Sequence, residues 1–122
     1  MLTLVCGDTK RHKGPIDRSQ FSEREGMSQL DLFEKGRSFA QQGVTEDIVI
    51  ATNNDHVFNG IRVAVAQGVL KPENVTILFY RYDIDQVDGP KMYRGGRIDY
   101  WPKGFFNQWD NALDILLDLH QT

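Results

Sequence analysis

Several features that would point to a specific chemistry are scarce in this chain. It contains a single cysteine, Cys6, which excludes an internal disulfide and is typical of a reducing compartment. No apolar run is long enough to form a membrane-spanning helix. The motif G-x-x-x-x-G-K-[ST], whose backbone N–H groups hold phosphates, does not occur. These absences predict a cytoplasmic protein without a phosphate loop, a disulfide or a place in the membrane.

The composition is that of one folded domain, predicted to span residues 1–122. Hydrophobic residues make up 40% of the chain and charged residues 25%. The net charge of −3 argues against a general nucleic-acid binder. A local basic cluster, Lys10 to Lys13, has two interpretations: contact with an acidic partner or nucleic acid, or a solvated loop. We expect the solvated loop.

Three short segments have the composition of buried strands: Leu2–Cys6, Ile48–Ala51 and Val75–Tyr82. Two helical patterns separate them, and residues 7–22 form a long polar loop. Strands that alternate with helices favour an α/β fold with parallel strands. We therefore predict a small, mainly parallel three-stranded sheet with flanking helices.

The first helical pattern has capping-box spacing at Ser22–Glu25 and is predicted to end at Gly43. Leu30, Phe33, Arg37 and Ala40 recur at helical spacing in it, with Leu32 and Phe39 beside them. The second is predicted to begin at Asn54 or Asp55 as the capping residue and to close at Gly68. Its predicted apolar stripe is Val57, Phe58, Ile61, Ala64 and Val65.

The C-terminal third predicts a β-hairpin and a final helix. Gly95-Gly96 is a hairpin signal between Met92-Tyr93 and Arg97–Tyr100. Apolar residues at helical spacing then predict a C-terminal amphipathic helix: Phe105, Phe106, Trp109, Ala112, Leu113, Leu116 and Leu117.

The polar cluster Asn53, Asn54, Asp55 and His56 is the principal candidate binding site. It follows a buried strand directly and begins a helix. Open α/β sheets bind ligands at the carboxyl ends of their strands, and helix N-termini favour anions. The functional interpretation is a former phosphate-sensing site or a docking point at an ATPase interface. The alternative, which is compatible with it, is helix capping alone.

The aromatic segment Tyr100–Phe106 is the second candidate, with Trp101 and Phe105 as its proposed contact residues. Aromatic side chains are enriched in binding hot spots, and they also close small cores. We expect core closure for most of the segment, with Trp101 the most exposed member.

Two of these motifs resemble one family. Ala51-Thr52-Asn53-Asn54-Asp55-His56 followed by Val57-Phe58-Asn59-Gly60-Ile61-Arg62, and Gly96 to Phe106 further on, are similar to the C-terminal lobe of RecF/SMC-like ABC-type ATPases. These ATPases occur in bacterial defence and overcoming-lysogenization-defect systems, and their strand ends in Glu-Thr-His-Ser-Asp-His. The resemblance covers about residues 28–109.

The departures from that family determine the functional hypothesis. Asn53 stands where the family has the switch histidine that senses the γ-phosphate, and Ala51 stands where it has Glu. Asn can donate a hydrogen bond but cannot accept a proton as His does. The resemblance therefore implies a catalytically incomplete lobe, without catalytic residues, metal or cofactor. We expect it to bind itself or a related ATPase, through Leu2–Cys6 and Tyr100–Phe106, and to inhibit or regulate that enzyme.

Two alternatives remain open at this stage. Asp8, Asp55 and His56 could together hold Mg²⁺ in a small metal-dependent hydrolase or nuclease, provided that the first two strands are neighbours. The chain could also be a non-functional fragment of a larger ATPase.

Overall fold

A computed structural model describes residues 1–19, 21 and 26–106. Its sheet strands are β1 (Leu2–Gly7), β2 (Arg18–Ser19), β3 (Ile48–Ala51), β4 (Val75–Tyr80) and β5 (Val87–Asp88). A separate hairpin contains β6 (Met92–Tyr93) and β7 (Arg97–Ile98). The helices are α1 (Gln29–Thr45) and α2 (Asp55–Ala66), and Thr9–Arg11 and Pro72–Asn74 form 3₁₀ turns.

The sheet has the order β2-β3-β1-β4-β5, in which the first four strands are parallel and β5 is antiparallel. The predicted α/β class and the three predicted parallel strands are confirmed. The two edge strands were not predicted, because two residues show no periodicity. Since β1 is the central strand and every residue of Leu2–Cys6 except Thr3 is buried, the expectation that this segment contacts a partner was wrong.

Both helices pack on the same face of the sheet. Alternate residues of β1, among them Leu2 and Leu4, share one core with Phe39 of α1 and Phe58 of α2. Side chains alternate between the two faces of a strand, so this core lies on a single face. The opposite face carries Val5, which is itself fully buried.

Helix α1 differs from its predicted bounds at both ends. It begins after Ser28, whose hydroxyl accepts from the Asp31 N–H while the Asp31 carboxylate accepts from the Ser28 N–H. The Ser22–Glu25 capping box lies outside the described residues. Gly43 does not end the helix, because it packs beside Leu2 and the helix continues to Thr45. Its buried residues are Leu32, Gly36, Phe39, Ala40 and Gly43. Of the predicted repeat only Ala40 is buried, together with the neighbouring Leu32 and Phe39, whereas Leu30 is exposed.

Helix α2 follows its prediction. Asn54 is the capping residue, and its side-chain oxygen accepts from the N–H groups of His56 and Val57 at 2.9 and 3.2 Å. All five residues of the predicted stripe are buried. Gly68 follows the helix with a φ of +80°, a conformation that favours glycine.

The predicted hairpin is present, with Met92 paired to Ile98 and Tyr93 to Arg97. The predicted C-terminal helix does not include Phe105 and Phe106, because both lie in a bend and Phe106 has a φ of +49°. The rest of that prediction lies outside the described residues. Within residues 1–19, 21 and 26–106, no helix has the length and apolar character needed to cross a membrane.

Candidate functional site

Asn53 is bound to the backbone of Gly7 through both ends of its side-chain amide. Its oxygen accepts from the Gly7 N–H at 2.7 Å, and its NH₂ group donates to the Gly7 carbonyl at 2.9 Å. The backbone ladder between β1 and β3 ends just before this point, with the Thr52 N–H donating to the Val5 carbonyl. The Asn53 side chain thus continues the pairing of β1 with β3 by one step.

Tyr82, two residues beyond the end of β4, completes this arrangement. Its hydroxyl donates to the Gly7 carbonyl at 2.6 Å and lies 3.3 Å from the Asn53 side-chain nitrogen. Gly7 has a φ of +78°, and a side chain there would overlap the Tyr80 carbonyl. The carboxyl ends of β1, β3 and β4 are therefore joined by the chain's own hydrogen bonds at the place where α/β sheets usually bind ligands.

The side chains of Arg11 and His12 hold the segment after β1 against β4 and the β4–β5 turn. The Arg11 guanidinium donates to the Arg81 carbonyl at 2.6 Å and pairs with the Asp85 carboxylate. The His12 Nδ1 lies 2.7 Å from the Tyr80 hydroxyl. The basic cluster predicted as a solvated loop is thus partly engaged within the molecule, because Arg11 and His12 bind β4 and its turn.

A cavity of about 410 Å³ lies beside Asn53, at the ends of β1 and β3. Its described lining is Thr9, Lys10, Ile16, Ser19, Phe21, Ala51, Thr52 and Asn53. Lys10 carries the only charge among these residues. Because the Asn53 amide is already bonded to Gly7, no carboxylate, imidazole or free amide of this described lining is available for proton transfer.

The rest of the polar cluster caps helix α2. Asn54 binds two N–H groups of the first turn, and its own N–H donates to the Thr52 hydroxyl at 3.0 Å. Asp55 and His56 are half-buried in that turn. Asp8 starts the loop after β1, with its N–H bonded to the Tyr80 carbonyl. Within the described part of the chain no three His, Cys, Asp or Glu residues could hold a metal ion, so the hypothetical Mg²⁺ group of Asp8, Asp55 and His56 does not form.

The two aromatic candidates close the core. Phe105 is 3% exposed and packs edge-on against Phe58 and Phe79, so it offers no surface to a partner. Trp101 is half-buried, with its ring 6.3 Å from that of Phe58. This burial corresponds to the core-closing interpretation of the segment. The expectation that Trp101 is the most exposed member was wrong, because Trp101 packs against Phe58 and Arg62, whereas Tyr100 is 45% exposed.

Arg62 is the most unexpected residue of this region, because its side chain is completely buried. Its Nε donates to the Gly96 carbonyl at 2.8 Å, and its guanidinium lies 5.5 Å from the Phe58 ring centre and 5.4 Å from that of Trp101. Such placement over aromatic faces is favourable for a cation. Arg62 thereby ties the β6–β7 hairpin and the aromatic segment to helix α2.

Sequence reasoning missed the partners of the candidate residues more than the residues themselves. Arg62 lies on the same face of α2 as the buried residues Phe58 and Val65. A charged residue on an otherwise apolar helix face was the sequence signal that could have indicated a buried arginine. No sequence signal marked Gly7 and Tyr82 as partners of Asn53, because Gly7 ends β1 and Tyr82 follows β4, both far from Asn53 along the chain.

Residues 70–116 match a family described as a protein of unknown function, DUF3696. This domain is associated with ATPase-like proteins, and the match covers less than half of the chain. It includes β4 to β7 and the aromatic segment. No curated protein and no solved structure matches the chain.

Proposed function

We propose that this chain is a catalytically incomplete relative of an ABC-type ATPase C-terminal lobe that acts by binding another protein. One observation carries the proposal: both hydrogen-bonding ends of Asn53 are bonded to Gly7. The residue that corresponds by resemblance to the switch histidine is therefore a structural link between two strands. It has no acid–base role and cannot turn toward a phosphate without breaking this link.

Two further observations support the proposal. The chain has no phosphate-loop motif, and the DUF3696 match connects it with ATPase-like proteins. A protein that resembles half of an ATPase head can occupy the surface that the matching half of a working enzyme uses. We therefore propose that its partner is a related defence-type ATPase, and that binding inhibits or regulates hydrolysis. This step rests on analogy at the level of the fold.

Two measurements test this function. Calorimetric titration of the chain with ATP and Mg²⁺ should give no binding in the low-micromolar range, and the chain alone should release no phosphate. Added to a purified RecF/SMC-like ATPase, it should change the steady-state rate of ATP hydrolysis in a saturable way. An unrelated α/β domain at equal concentration is the control. Hydrolysis by the chain alone, or an unchanged rate together with no complex by light scattering, would contradict the proposal.

A further inference from the structure

The cavity at the ends of β1 and β3 is lined by hydrogen-bond donors that the described part of the chain leaves unused. The Thr52 hydroxyl accepts from the Asn54 N–H at 3.0 Å, and its own proton is donated to no described acceptor. Thr52 is 5% exposed, so this donor is buried at the cavity wall. The hydroxyls of Thr9 and Ser19 also bond to no described group. Because buried polar groups are usually hydrogen-bonded, the cavity is suited to a ligand that brings acceptor atoms.

Lys10 supplies the positive charge of this described lining. The neighbouring Arg11 and His12 turn toward β4, where Arg11 donates to the Arg81 carbonyl and His12 lies 2.7 Å from the Tyr80 hydroxyl. Lys10 lies on the cavity side of the same 3₁₀ turn and is exposed. No carboxylate in residues 1–19, 21 and 26–106 pairs with its ammonium. One cation beside several hydroxyl donors favours a ligand with one negative charge.

The acidic residues nearest along the chain lie outside the described lining. The Asp17 carboxylate accepts from the Val49 N–H at 2.8 Å and lines a separate cavity near the end of α1. Asp8 follows β1 and Asp55 begins α2, and neither is among the described residues that line the cavity. The described wall is therefore positive, which opposes a cationic ligand.

The remaining described lining is apolar. Ile16, Phe21 and Ala51 contribute to it, and the Phe21 ring packs edge-on against Phe39 with 5.1 Å between the ring centres. The volume of about 410 Å³ lies within the range of small-molecule sites. Such sites combine an apolar wall with a few polar groups that fix the orientation of the ligand. The ligand is therefore expected to have an apolar body as well as an anionic end.

We propose that this cavity binds a small monocarboxylate with a short aliphatic body. The carboxylate accepts from the Thr52 hydroxyl and from the Lys10 ammonium, and the aliphatic body lies against Ile16, Phe21 and Ala51. Since the described lining offers no group for proton transfer, the ligand is bound without being converted. This inference goes beyond the proposed function, because it depends on neither an ATPase nor any other protein partner.

The capping of α2 selects a carboxylate over a phosphate. A phosphate at this end of a sheet would take its hydrogen bonds from the free N–H groups at the start of the helix. Here the Asn54 side chain already accepts from the N–H groups of His56 and Val57. A carboxylate needs fewer donors and one compensating charge, and Thr52 and Lys10 supply both.

Amide NMR of the full chain tests the site with four defined probes and inorganic phosphate. We expect hexanoate to shift the amide signals of Lys10, Ile16 and Thr52 in a saturable way, with a dissociation constant of about 1 mM or below. Hexanol and hexylammonium should bind at least about tenfold more weakly, because they lack the carboxylate. Acetate should also bind at least about tenfold more weakly, because it buries little apolar surface. Phosphate should bind more weakly than hexanoate.

Matched variants separate the cavity from general charge attraction. Lys10→Gln should weaken hexanoate binding by about two- to fivefold, as expected for one exposed ion pair. Lys13→Gln is the control, because Lys13 is exposed in the same segment and does not belong to the described lining. Thr52→Val keeps the shape of the side chain and removes the hydroxyl, so it should weaken binding by about tenfold or more. Amide spectra of each variant report whether it is folded.

Four results would overturn the inference. They are equal affinity for hexanol and hexanoate, tighter binding of phosphate at the same amides, equal loss in Lys10→Gln and Lys13→Gln, and no saturable shift with hexanoate up to about 10 mM. If Thr52→Val does not fold, the comparison of Lys10→Gln with Lys13→Gln and the order of the probes still decide the question.

Discussion

Gly36 of α1 and Gly60 of α2 meet where the two helices cross. A side chain on Gly36 would overlap the Val57 carbonyl and lie 3.1 Å from the Gly60 Cα, and one on Gly60 would overlap the Phe33 carbonyl. The helices therefore approach through their backbones. This contact sets how closely α1 and α2 pack on the sheet.

Gly60→Ala should destabilise the protein although alanine is the better helix former. The helical gain is about 1 kcal/mol, whereas forcing an extra carbon into a packed contact costs typically about 1–3 kcal/mol. Because the new Cβ would meet backbone atoms that cannot rotate away, we expect the packing cost to exceed the gain in helix propensity. Urea unfolding measures the change, with Ser38→Ala on the exposed side of α1 as the control. A more stable Gly60→Ala protein would show that the helices can separate freely.

Phe58→Ala should cost about 2–5 kcal/mol, as other large-to-small changes in a core do. Phe58 is fully buried, stacks on Phe106 at 4.3 Å between ring centres, and packs edge-on against Phe105. Leu30→Ala is the matched control, because Leu30 is 69% exposed at the start of α1 and should change stability by less than about 0.5 kcal/mol. Similar losses in the two variants, measured by thermal or urea unfolding, would mean that α2 is rotated.

The contrast between Leu30 and Phe58 shows where sequence patterns were sufficient. The α2 stripe was predictable because five apolar residues repeat at helical spacing with no competing pattern. In α1, Leu30 and Leu32 both fit a helical stripe. The choice between them depends on the glycine contact with α2, which apolar periodicity does not record. Tertiary contacts likewise decide the strand order and the pairing of Asn53 with Gly7. The position of the polar cluster at a strand end was predictable. The hydrogen bonds that Asn53 and Asn54 make within the chain were not.

Asn53→Asp should destabilise the fold by about 1–3 kcal/mol, the usual cost of leaving a polar group without its partner. One carboxylate oxygen can still accept from the Gly7 N–H. The other would face the Gly7 carbonyl oxygen, and two acceptor oxygens cannot form a hydrogen bond. Below about pH 4 the introduced carboxyl takes up a proton and can donate to the Gly7 carbonyl. The difference in unfolding free energy between the two proteins should then become smaller. Unfolding curves of both proteins between neutral and acid pH measure this. A loss that does not change with pH would mean that the link to Gly7 is not formed.

The stability of the protein should fall at alkaline pH through Cys6. Burial raises the pKa of the Cys6 thiol far above its ordinary value, and its Sγ lies 3.7 Å from the Leu78 carbonyl oxygen, an acceptor that opposes a thiolate. Above the unfolded-state pKa of about 8.5 the unfolded chain releases the thiol proton while the folded chain keeps it. The folded state then binds more protons, so the free energy of unfolding decreases by about 1.4 kcal/mol per pH unit from this group alone.

Cys6→Ala should be less stable at neutral pH because of the small cavity, yet its stability should decline less steeply above about pH 8.5. The difference between the two proteins isolates Cys6 from other groups that titrate there. In parallel, a thiol reagent should label native Cys6 only as fast as the protein opens. Parallel pH profiles for the two proteins, or fast labelling of the native state, would contradict the burial of Cys6 in the central strand.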